Sequence, residues 1–91
     1  MFSKKKYEEL NNIFEKNLEE LADLLKEVHD KIVSGDINNK EDLITVYEKR
    51  INEMARRFPD TNHERVKSYF NRYDFILNNF EEYKEKRGDV N

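Results

Sequence analysis

Histidine is the side chain to weigh first for chemistry, because its charge changes near neutral pH and it is the commonest metal ligand. The chain has two, His29 and His63, and each falls on a different helical pattern. Those patterns put His29 near one end of any bundle they build and His63 near the other, so the two cannot share a site. Neither follows an acid by three residues on a helix: position 26 is lysine, and Asp60 precedes His63 only across a helix cap. The acid–histidine pair that builds di-metal centres in helical bundles is therefore missing. His29 reads as a half-buried side chain and His63 as a first-turn surface residue.

Carboxylates abound, and Glu15, Glu19 and Asp23 recur every four residues. Acid and base catalysis needs such groups in a cleft, whereas this row lies on the polar side of its helix and reads as a solvated face. There is no glycine-rich phosphate loop, no nucleophile elbow and no cysteine. The sequence thus assigns no catalytic, cofactor-binding or metal-binding residue, and the expectation is that the protein is not an enzyme.

One electrostatic feature remains. Lys4, Lys5 and Lys6 open the first helical pattern, and Arg56, Arg57, Arg65 and Lys67 flank Pro59, with Arg72 further along. Lysines at a helix start oppose the helix dipole, so they are not there for helix stability. A polyanion contact through these residues is one expectation. A helix-turn-helix using Asn62, His63, Arg65, Lys67, Tyr69 and Arg72 is disfavoured by the acidic pI of 5.4 and by a turn without glycine.

The elements that position these groups follow from periodicity. Ninety-one residues make one domain. Charged residues are 41% of them, against an average near about a quarter. The net charge is only -3, there are eleven aromatics and the apolar residues recur in register, so the chain reads as folded. Tyr7, Leu10, Ile13, Phe14, Leu18, Leu21, Leu24, Leu25, Val28 and Ile32 fall within roughly 140° of a helical wheel. This predicts a helix over residues 3–34, closed by Gly35. A second helix over 39–58 carries Leu43, Ile44, Tyr47, Ile51, Met54, Ala55 and Phe58, with Asn38 and Glu41 resembling a capping box, and it closes at Pro59. A third over 61–87 carries Val66, Tyr69, Tyr73, Ile76, Phe80 and Tyr83, opening with Thr61 and Glu64 as a second box.

The predicted fold is all-α, an up-down-up three-helix bundle of unequal helices in one domain over residues 1–91. The first helix overhangs one end by about 15 Å and the third overhangs the other by about 10 Å. Apolar residues continue in phase along both overhangs, which makes completion by self-association an expectation. Tyr7, Phe14, Phe80 and Tyr83 would then border a partner. Phe75 joins them because it stands off its apolar arc, as Val46 does on the second helix. The expected function is a small helical protein–protein interaction module, whether adaptor, inhibitor or assembly factor, that docks onto a protein partner or a second copy. The alternative is a nucleic-acid-associated regulator using the basic region. No targeting segment or membrane span is legible, so a cytoplasmic location is expected.

Overall fold

A computed structural model describes residues 4–88, with side chains described over residues 8–85. The chain is all-α: α1 is Lys4–Ser34, α2 Lys40–Ala55, α3 Glu64–Asn78 and α4 Phe80–Gly88, with no strand among the described residues. The all-α expectation holds. The expected count of three helices does not, because the third is interrupted at Asn79.

α1 runs for 31 residues because its apolar stripe meets no glycine or proline until Gly35. Gly35 has φ +88°, the left-handed conformation in which other residues are strained. Around it Gly35 N donates to Ile32 O at 3.2 Å and Ile37 N to Lys31 O at 3.1 Å. These bonds occupy carbonyls that the helix end leaves open, and they turn Ile37 into the core at 3% exposure.

The cap of α2 lies one residue later than the Asn38–Glu41 pair: Asn39 Oδ1 accepts from Asp42 N at 2.8 Å. α2 also stops at Ala55, three residues before Phe58. Proline disfavours helical geometry at the residue before it, and here Arg57 N donates to Met54 O and Phe58 N to Ala55 O in a tightened last turn. That turn still delivers the Phe58 ring to the core.

The expected Thr61–Glu64 box does not form. Asp60 Oδ1 accepts from Asn62 N at 2.9 Å, making a local turn, and His63 caps α3 by accepting from Arg65 N through Nδ1 at 3.3 Å. At the far end, Asn79 leaves helical geometry with φ -122° and ψ 34°. Its side-chain Nδ2 donates to Phe75 O at 2.9 Å while its own backbone N donates to the same carbonyl at 3.0 Å. Asparagine competes in this way with the helical ladder, which bends the chain without reversing it.

α1 is the common partner, packing against α2, α3 and α4. Side-chain pairs fix the directions. Glu20 meets Arg57 and Glu27 meets Arg50, so α2 runs against α1. Glu15 meets Arg65 and His29 meets Tyr83, so α3 and α4 run with it. The core is one cluster in which Leu21, Val28, Leu43 and Val66 are wholly buried. Three stripe residues expected in it are instead exposed: Leu10 and Ile13, because the shorter α2 does not reach the first turns of α1, and Ile44 at the edge of the α2 face.

Candidate functional site

Two seams flank α1, and they differ in how their charges are satisfied. The α1–α2 seam is lined by Glu20, Asp23, Glu27, Glu53, Arg50 and Arg57 with Leu24 and Met54. Both of its arginines are answered by its own acids, while Asp23 and Glu53 form no ion pair among the described residues. Arg50 donates to Glu27 Oε2 at 2.8 Å, Tyr47 Oη donates to the same oxygen at 2.6 Å, and Arg57 pairs with Glu20. The Arg50 bond, then the Tyr47 bond, hold the Glu27 carboxyl below its ordinary value. Burial, reinforced by Glu27, pushes the Tyr47 phenol up to about 12.

The second seam is an open groove of about 580 Å³ between α1 and the α3–α4 arm. Ala22, Leu25, Lys26 and His29 form one wall, and Tyr69, Arg72, Phe75 and Ile76 the other, with Tyr83 of α4 at one end. No carboxylate lines it. Lys26 and Arg72 are exposed, and neither forms an ion pair with any described residue. Phe75 is 60% exposed. His29 Nδ1 and Tyr83 Oη share a 2.6 Å hydrogen bond, and their rings meet edge to face. Apolar and aromatic surface with two unanswered cations suits a ligand that is apolar in the middle and anionic at its edges.

Of the five residues expected at a partner interface, the structure brings Phe75 and Tyr83 into this groove. Phe80 is buried inside the chain at 3% exposure, so the third helix does not leave it bare on an overhang: the break at Asn79 lays α4 against α1. Phe14 lies at the opposite end, half-buried, edge-on to Phe58 at 6.0 Å and to His63 at 5.0 Å, with Arg65 above its ring. The Tyr7 side chain falls outside the described ones.

The expected polyanion residues do not form one patch. Arg65 makes a two-pronged bond to Glu15 at 2.6 and 3.0 Å, and Arg57 is engaged by Glu20. Arg72 belongs to the groove, while Arg56 and Lys67 are exposed without ion pairs among the described residues. The side chains of Lys4, Lys5 and Lys6 lie outside the described ones. Glu15, read as part of a solvated row, is in fact the Arg65 partner, and that bond holds its carboxyl below the ordinary value.

The two histidines stand apart, His29 beside Tyr83 and His63 beside Phe14, about 20 Å apart along α1. No group of three or more potential metal ligands occurs among the described residues. Sequence reasoning missed Lys26, His29 and Tyr69 as groove residues. Lys26 and His29 do sit a turn apart on the α3-facing edge of the α1 stripe, which was the available signal. No described helix is long and apolar enough to cross a membrane. Compared with protein-family models, curated proteins and solved structures, the chain matches none of them.

Proposed function

We propose that the protein is a non-enzymatic helical interaction module, an adaptor, inhibitor or assembly factor, that docks another protein chain in the α1–α3 groove. The observation that carries this reading is Phe75, a phenylalanine 60% exposed on the wall of an aromatic groove. An exposed aromatic beside a concave surface is the arrangement from which interfaces draw most of their binding energy. The neighbouring α1–α2 seam is less suited, since both of its arginines are already paired and no aromatic side chain lines it. A cytoplasmic location belongs to the proposal.

The test is capture from lysate with the parent and with Phe75→Ser as baits, together with photo-crosslinking from position 75. Proteins retained by the parent, lost by the variant and crosslinked from position 75 are the expected result. An identical set on both baits overturns the groove as the docking site.

A further inference from the structure

The groove's shape and charge narrow its occupant. On α1 its wall is built at positions 22, 25, 26 and 29, and on α3 at 69, 72, 75 and 76. These are continuous helix faces, so the groove is a trough between two ridges that run in the same direction. From Ala22 to His29 it is about 10 Å long, which is about two turns of helix. A trough of this kind receives an amphipathic helix through apolar side chains spaced by one turn.

Charge sets the flanks of that helix. The chain carries 20 acidic against 17 basic residues, yet the trough's permanent charges are Lys26 on one wall and Arg72 on the other, both positive and both without ion pairs among the described residues. The α1–α2 seam, on the same α1 helix, supplies its own acids to its own arginines. A nucleic-acid strand fits less well. It brings a charge with every nucleotide, whereas the trough offers two permanent cations and apolar lining from Leu25 on one wall and Phe75 and Ile76 on the other.

We infer that the groove binds an acidic amphipathic helix of a partner protein, with apolar side chains seated on Tyr69 and Phe75 and carboxylates on both flanks meeting Lys26 and Arg72. This rests on the docking reading and adds to it the chemistry of the docked element.

The experiment titrates the isotope-labelled protein with two stapled helical peptides of about fifteen residues, a length at which unstapled helices are marginal. Each carries two leucines one turn apart. In one the flanking residues are glutamates, in the other lysines. The glutamate peptide should move the amide signals of Lys26, His29, Arg72 and Phe75 and bind about tenfold more tightly than the lysine peptide. The double variant Lys26→Glu with Arg72→Glu should invert that preference. Equal binding by both peptides, signals moving along the α1–α2 seam instead, or no movement with either peptide overturns the inference. So does a single-stranded oligonucleotide that moves the same signals at lower concentration than the glutamate peptide. If the peptides fail while Phe75→Ser still abolishes capture, the docking reading survives and only the acidic-helix inference falls.

Discussion

Tyr83 Oη lies 2.6 Å from His29 Nδ1, joining residues 54 positions apart and fastening α4 to the C-terminal turns of the molecule's longest helix. The same two side chains help line the groove, so a stabilising contact and a docking surface use one pair of residues.

Tyr83→Phe keeps the ring and removes the hydroxyl from this bond. The loss expected is about 0.5–1.5 kcal/mol, the ordinary net worth of one hydrogen bond. Urea unfolding gives the total, and amide hydrogen exchange should rise in α4 before it rises in α2.

Leu21 is wholly buried and Tyr73 is 2% exposed. Leu21→Asp places a carboxylate with no cation beside it at the centre of the core, and should cost on the order of 4 kcal/mol or more. Tyr73→Asp additionally removes the hydroxyl that donates to Glu48 at 3.0 Å. Circular dichroism melts should show both variants unfolded or nearly so, and a melt matching the parent would mean that the assigned core faces are wrong.

Stability should fall at both ends of the pH scale for separate reasons. Glu27 and Glu15 are held below their ordinary value of 4.5 by arginine hydrogen bonds. Their contribution is present above pH 4.5 and is lost as pH drops through the lower folded-state values. Tyr47 is raised from 10.0 to about 12, and Tyr73 is raised further, each first by burial and then by its carboxylate partner. Their contribution is full below pH 10 and disappears as pH rises through the folded-state values. Denaturant midpoints measured across pH should show both declines, with Glu27→Gln flattening the acid limb and Tyr47→Phe the alkaline one.

Leu10 and Ile13 are exposed in phase with the buried stripe. If two copies cover them, sedimentation over a wide concentration range should show reversible association that Leu10→Ser with Ile13→Ser weakens while helicity stays unchanged. A strict monomer throughout would end the self-association reading.

Most of the helical pattern was legible because burial on a helix repeats every 3.6 residues, and α1, α2 and α3 each bury one face. The Asn79 break was not, because a single off-helix residue leaves the spacing of Ile76, Phe80 and Tyr83 almost in phase. Periodicity counts residues and does not register one bend. Ile37 was missed for the opposite reason: it is a lone apolar residue between Asp36 and Asn38, with no neighbours to form a period. Phe75 stood out in the sequence because it left its stripe. That Lys26 and His29 of α1 would face Arg72 and Phe75 of α3 depends on which turns of the two helices lie level, a register that the Glu15–Arg65 pair marks across 50 residues but that no local pattern encodes.

The turn at Gly35 discriminates by handedness and not by size. A methyl group built on its α-carbon in the L arrangement would meet no atom within 4 Å beyond the adjoining residues, so crowding by the rest of the fold is not what excludes a larger residue. The backbone angle of +88° is what L-residues resist and D-residues adopt readily. Chemical synthesis with D-alanine at this position should therefore yield a protein at least as stable as the parent, since the unfolded chain loses freedom while the native turn keeps its shape. L-alanine, with the same atoms in mirror arrangement, should destabilise it.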